Sequence, residues 1–396
     1  MTFLSGNSNE IDHDFRSCIP FLTLMAGIFF INFFSRIILA PLMPSLERDL
    51  NFSHLEAGSL FLCASAGYFF SLLSAGFISS RITHKHTICL SCMALGIANL
   101  WISLSGSLNT LRVGMFMIGL ASGIYLPSAI TTLTSIVRTR HWGKALSIHE
   151  LAPNLALIAA PLIAEAFLAW MTWRSVMIAT GLISLCLAAV ISKSGKKGNF
   201  KSQKMSLSSL RELLSIPSFW IIIVLHSLAV SSVLGIYTML PLYLVSDLNI
   251  DQNTANTWIA FSRIFTLPVV FIAGWAVDRF GSKQIMGTSL LITGIFTVLI
   301  GAVSGKWIFV FVFLQPLSAV CFFPAVMTAL SRIFSEKIRN MAVSLTVPVA
   351  YLAGAGAIPT GMGAMGDLGY FSVGFIILGG LIVVGALLTT FLNTSG

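Results

Sequence analysis

Charge is what this chain has least of. Only 9% of its 396 residues are Asp, Glu, Lys or Arg, against roughly 25% in ordinary soluble domains. Acids are scarcest, 14 against 23 Lys and Arg. Six cysteines (18, 63, 89, 92, 186, 321) fall mostly inside apolar runs and give no case for disulfides. Cys89 and Cys92 form a CxxC, yet without a second pair or a thioredoxin-like context they read as small buried residues. Long polar stretches are also missing, which leaves no room for a soluble catalytic domain, a Walker-type phosphate loop or a large extracellular module. What remains is 56% hydrophobic. A soluble core of this size cannot hide that much apolar surface, so the solvent is lipid.

Twelve runs are long enough to span a bilayer: 20–43, 57–80, 87–105, 110–136, 144–168, 173–192, 218–245, 253–276, 284–303, 307–333, 340–364 and 370–392. The first nineteen residues are polar, with Glu10, Asp12 and Asp14 where a signal peptide would be basic. No cleavable signal is expected, and the first run stays as an anchor. One side of the array carries 17 of the 23 Lys and Arg, from Arg16 through Arg81, Lys85, Arg138 and Arg279 to Arg339. The other side carries Arg48, Arg112, Arg174 and Lys306. That bias predicts both termini in the cytoplasm of a cell whose inner membrane holds the chain. It also accounts for the net charge of +9 without a nucleic-acid partner. Residues 193–217 are rich in Ser, Gly and Lys and read as a cytoplasmic linker between a bundle at 1–192 and another at 218–396. Within it, Ser209 and Glu212 suggest a capped surface helix over Ser206–Ser215.

The array is written twice. Gly274-Trp-Ala-Val-Asp278-Arg279-Phe-Gly281-Ser-Lys283 has a worn copy 198 residues earlier, Gly76-Phe-Ile-Ser-Ser80-Arg81-Ile-Thr83-His84-Lys85. The same offset, half the chain length, joins Asp49-Leu50-Asn51 to Asp247-Leu248-Asn249. An offset of 197 joins Pro127-Ser-Ala-Ile-Thr131 to Pro324-Ala-Val-Met-Thr328. Such duplication of six spans belongs to carriers that rock about a midplane site.

Two six-helix halves, a basic central loop and Gly-x-x-x-Asp-Arg-x-Gly after the second span of a half together resemble the major facilitator superfamily. Arg112 opening the fourth span, Gly119-x-x-x-Gly123 within it and Trp173-Arg174 opening the sixth fit as well. The resemblance covers essentially the whole chain. It implies an all-α membrane protein of twelve transmembrane helices in two pseudo-symmetric six-helix bundles, working by alternating access. It also implies that the first span of each three-helix unit lines the cavity, with spans 2, 5, 8 and 11 flanking it. Gly274, Asp278, Arg279, Gly281 and Arg81 then form gating loops. The N-terminal copy departs from the pattern, since Ser80 replaces the aspartate and Thr83 the second glycine.

Ionisable groups inside spans are costly and are the first functional candidates. Arg36 in span 1, with Asn32 one turn away, and Arg263 in span 8 would clamp an anion from opposite halves, with a fork suited to carboxylate or phosphate. Snorkelling or structural pairing is the bland alternative. Glu150 shares a stripe of span 5 with Asn154, Pro161 and Glu165, and is the candidate proton-coupling group. His149 points about 100° away on an ideal helix, so one of the two should face the cavity. Pairing of Glu150 with Arg138 or Arg140 stays open, and Glu165 reads as structural. Tyr125, His226, Tyr237 and Gln315 are weaker candidates for orienting substrate, each as readable as a packing group. Ser122 and Thr132 lie on the side of span 4 that carries Tyr125. His84-x-His86 reads as a solvated basic turn, and no metal site is expected. Gly354, Gly356, Gly361, Gly363 and Pro359 in span 11 suggest close packing with a deformable backbone; loose peripheral packing is the alternative.

The expected function is secondary active transport of a small organic anion, a carboxylate, driven by a proton gradient and needing no cofactor. Two alternatives remain: a drug or metabolite exporter using proton antiport, and a carrier of a polycarboxylate chelate such as a citrate-type siderophore. Pro161 is what remains here of the exporters' Gly-Pro-rich span 5 motif. An enzyme would need a convergent nucleophile, base or metal cluster, and none is visible. A channel filter usually repeats by subunit symmetry. The expected partners are a small-molecule substrate and the lipid bilayer, with the monomer as the working unit.

Overall fold

The structure is a computed structural model and describes residues 15–194, 198, 200 and 212–392. Twelve helices are long and apolar enough to cross a membrane. In the N-half these are α1 (Phe15–Leu50), α2 (His54–Arg81), α3 (His84–Ser103), α4 (Leu108–Ile136), α5 (Thr139–Leu168) and α6 (Trp173–Ser192). In the C-half they are α7 (Pro217–Asp247), α8 (Gln252–Phe280), α9 (Ser282–Ala302), α10 (Trp307–Ile333), α11 (Met341–Asp367) and α12 (Phe371–Phe391). The expected surface helix at 206–215 falls mostly outside the described residues; Glu212–Leu214, at its end, is helical. The largest boundary difference is α1, which runs 36 residues through Pro41 and Pro44. Side chains of the other half reach the Pro41 carbonyl within it, as shown below.

The offset of 198 is visible in three dimensions. Asn51 and Asn249 end α1 and α7 in the left-handed conformation, with φ of 52° and 53°. Asparagine tolerates this region better than most residues. Just before them, Asp49 accepts from Trp173 Nε1 at 3.0 Å and from Arg174, while Asp247 accepts from Ser372 Oγ at 3.2 Å. Each acid therefore ties the first helix of its half to the last. The close packing repeats too. A Cβ on Gly96 of α3 would lie 3.0 Å from the Gly181 carbonyl of α6, and one on Gly294 of α9 would lie 2.8 Å from the Gly379 carbonyl of α12. In a bilayer, where apolar surface gives no net drive to associate, small residues let helices make close dispersion contacts.

The two copies of the loop motif are built differently. Gly281 adopts φ +92°, a conformation that penalises any Cβ, and no L-residue with a side chain replaces it cheaply. At the equivalent place in the N-half the backbone is extended, and the Thr83 side chain caps α3 by accepting from His86 N. A different turn geometry explains why Thr83 stands where the pattern has glycine. His84 does not belong to a solvated turn: it is buried, edge-on to Phe200 at 4.9 Å. His86 fits that reading better, exposed and bonded to Thr83 Oγ1.

Candidate functional site

The halves meet at the end of the bundle opposite the basic loops. There Asp367, closing α11, accepts from Ser53 Oγ at 2.7 Å, His54 N at 2.8 Å and Leu55 N at 3.0 Å. The first turn of α2 has free N–H groups and the positive end of its dipole, so a carboxylate is well placed to cap it. Glu47 of α1 holds His54 Nδ1 at 2.9 Å. Beside this, Gln252 and Asn256 of α8 both donate to the Pro41 carbonyl at 3.0 Å. Pro44 has no N–H to offer the Ala40 carbonyl, so the helical ladder is interrupted next to this contact. Asn256 also donates to Glu165 of α5, and the Gln252 oxygen accepts from Ser45 and Arg48.

Glycines let α2 and α11 touch beneath this polar seam. A Cβ on Gly363 would sit 2.1 Å from the His54 carbonyl, and one on Gly58 would sit 2.6 Å from the Pro359 carbonyl. Gly356 and Gly363 of α11 thus serve a close contact between the halves, while Gly361 has open space around it. Further along, α11 widens into a π-helical stretch at Leu352–Ala357, where Gly354 rests on the Ser227 carbonyl of α7.

A small cavity lies below the seam. Both halves line it: Phe33, Arg36, Ser65 and Tyr68 from one, Thr238 and Tyr351 from the other. The Arg36 guanidinium carbon stands 4.4 Å from the Tyr68 ring centroid, 4.8 Å from Phe33 and 5.3 Å from Tyr351. Its Nε is buried without a hydrogen-bond partner. Asn32, one turn back, is buried with Nδ2 also unpartnered.

Arg263 is not among the residues lining that cavity. It is 3% exposed, its guanidinium 5.3 Å from the Tyr237 ring, and both its Nε and the Tyr237 hydroxyl lack partners. The symmetry-equivalent positions explain the asymmetry of the cavity wall. Ser65 stands where the C-half has Arg263, and Leu234 stands where the N-half has Arg36, and both smaller residues line the cavity. His226 is buried against Phe322 and Phe323, with Nδ1 unpartnered. Gln315 donates to the Ser232 carbonyl at 2.8 Å, inside the C-half.

Tyr125 lies inside the N-half, donating to the Met25 carbonyl at 2.7 Å and facing His149 Nε2 at 3.0 Å. His149 is buried and stacks on Phe29 at 4.3 Å. Glu150 is the exposed one of the two, its side chain 56% exposed, yet its Oε1 lies 3.5 Å from His149 Nδ1. At the basic end Asp278 and Arg279 are exposed, Gly274 has open space around it, and Arg81 lies over the Phe77 ring at 4.4 Å.

Asp367, Gln252 and Asn256 escape a reading of the sequence. They sit at helix ends, where polar residues are expected on general grounds, and only the fold brings them to the other half. Arg36 was detectable because a charge inside an apolar run has no cheap explanation.

Twelve membrane-length helices in two halves, joined at one end and lining a cavity together, define a multi-pass membrane carrier. A sequence model of the Major Facilitator Superfamily matches residues 25–262 and 225–395, and the chain belongs to that superfamily. Among curated proteins it resembles the multidrug resistance protein MdtL of Citrobacter koseri, 22% identical over 250 residues covering 62% of this chain and 64% of that protein. The MdtL of Vibrio parahaemolyticus is 21% identical, with 66% of each chain covered. The match with the first of these thus spans about 64% of that relative's length. Among solved structures, a bacterial homolog of the human lysosomal transporter Spinster, inward-facing and occupied, superposes with a TM-score of 0.82 at 14% identity, covering 96% of this chain and 97% of that one. A D-xylose-proton symporter gives 0.76 at 16% identity, covering 95% and 97%. These likenesses concern the fold.

Proposed function

We propose that the chain moves a small organic anion with an apolar or aromatic body, a carboxylate, by alternating access coupled to protons. The observation that carries this is Arg36: a guanidinium in a cavity walled by Phe33, Tyr68 and Tyr351, with no carboxylate in ion-pair distance among the described residues. Arg263 is likewise without an acidic partner among them. Two unbalanced cations inside spans favour an anionic cargo, and the aromatic walls favour a planar or apolar remainder. Asn32, Tyr237, His226 and Gln315 are proposed to orient the cargo, with Tyr125 acting behind the wall. Glu150 is the proposed coupling carboxylate. The basic end is assigned to the cytoplasm of a cell with an inner membrane, the linker to 193–217, and gating to Arg81 and the 274–281 loop.

The test is uptake of radiolabelled benzoate and citrate into proteoliposomes, with and without a protonophore. Protonophore-sensitive accumulation that Arg36→Ala removes and Arg36→Lys partly restores supports the reading. A second reading, drug export by proton antiport, is supported by the names of the MdtL relatives. Robust efflux of a cationic dye with no carboxylate flux would replace the first reading by the second.

A further inference from the structure

We infer that His149 and Glu150 hold a single proton between them, in a slot that Tyr125 keeps open by fixing the imidazole tautomer. The role of this slot in coupling rests on the proton-driven reading above; the slot itself rests on hydrogen-bond accounting. Tyr125 has one hydroxyl proton. Its oxygen is 2.7 Å from the Met25 carbonyl, a separation that two acceptors do not tolerate without a proton between them. That proton is therefore committed to Met25. Tyr125 must then accept at its second contact, so His149 Nε2, 3.0 Å away, carries hydrogen and donates. In a neutral imidazole this leaves Nδ1 bare. Nδ1 is buried and has no hydrogen-bond partner, and the group it faces, at 3.5 Å, is the Glu150 carboxylate.

Two acceptors pointed at one another form a site for one proton. With the proton bound, the contact becomes charge-assisted and closes to about 2.8 Å. Whether nitrogen or oxygen carries it is a property of the pair. From α1 come Phe29 and the Met25 carbonyl, and from α4 comes Tyr125, with Cys92 of α3 near that tyrosine. Arg140 and His141 sit at the start of α5. Arg48, Asp49 and Arg174 lie at its far end, and Arg263 is seven residues inward of the Asn256–Glu165 contact.

The slot is wired to the cargo cavity by α1. His149 stacks on Phe29 at 4.3 Å and 8°, one turn before Asn32 and two before Arg36. Closing or opening the slot moves the ring on which α1 rests.

The experiment is an infrared pH titration of the purified full chain in lipid, without substrate. Bands belonging to the pair are identified by their loss in Glu150→Gln. Tyr125→Phe removes the acceptor that fixes the tautomer, allowing Nδ1–H to donate to the carboxylate and occupy the slot. His149→Gln keeps a donor for Tyr125 but removes the bare nitrogen. Each substitution is expected to move the midpoint to lower pH by about one unit, a tenfold loss of proton affinity. An unmoved midpoint in both, or no titrating band that Glu150→Gln removes, overturns the slot. If the bands move as expected but no anion accumulates against a gradient, the transport reading fails and the slot stands.

Discussion

Asp367 ends α11 with its carboxylate on the backbone N–H of His54, the first residue of α2 in the opposite half, at 2.8 Å. A helix terminus in one half is thus capped by a charge from the other. Neither residue satisfies itself locally when the halves part, so this contact is a bond between states as well as between helices.

Asp367→Asn keeps the shape but removes the charge that the α2 N-terminus prefers. The loss expected is about 1 kcal/mol, or about fivefold in the ratio of sealed to unsealed molecules. Spin labels at Leu55 and Leu368 should report a new, longer distance population in the variant. An unchanged distance distribution would show that the glycine contact of Gly58 and Gly363 seals this end by itself.

The two glycine crossings should differ in sensitivity. At Gly379 a new Cβ meets backbone, Val298 N at 2.5 Å and the Gly294 carbonyl at 2.7 Å. At Gly181 it meets the Leu100 side chain at 2.9 Å and the Gly96 carbonyl at 3.0 Å, a milder clash. Gly379→Ala is expected to cost about 1–3 kcal/mol and to lower the melting temperature in detergent more than Gly181→Ala. Equal melting temperatures would mean that α9 and α12 slide without penalty.

The loop glycine is tested by exchanging residue types. Gly281→Ala forces a Cβ into φ +92° and is expected to cost about 1–2 kcal/mol. Thr83→Ala leaves an extended backbone unstrained and removes only the cap on α3, costing about 1 kcal/mol. Thr83→Gly should cost little. Melting temperatures in that order, with Gly281→Ala lowest, are the expected result.

Much of the fold was legible because lipid imposes length and apolarity on every span, and duplication supplies a second reading of each feature. Asn51 and Asn249 matched in sequence before they matched in φ. Contacts between the halves were not legible. Asp367, Gln252 and Pro41 lie up to 326 positions apart, and nothing local in a helix end states which distant carbonyl or N–H it will meet. Arg36 was visible as a charge; its aromatic surroundings, drawn from α1, α2 and α11, were not. The His149–Tyr125 contact joins α5 to α4 and was hidden for the same reason.

Arg263 poses the sharpest question about cargo. It is a buried cation against Tyr237, without a carboxylate among the described residues and outside the wall of the cavity that Arg36 lines. Were it only structural, Arg263→Ala would strip the packing on Tyr237 and lower the melting temperature together with transport. If it awaits an anion, the same substitution removes an unpaired buried charge, and stability should hold or rise. Anion uptake should nevertheless fall about 100-fold. Arg263→Lys would keep the charge but lose the planar fork, so it should retain part of the uptake with weaker affinity. Melting temperature and benzoate uptake measured on the same three preparations separate these outcomes, because only an anion-binding Arg263 uncouples the two.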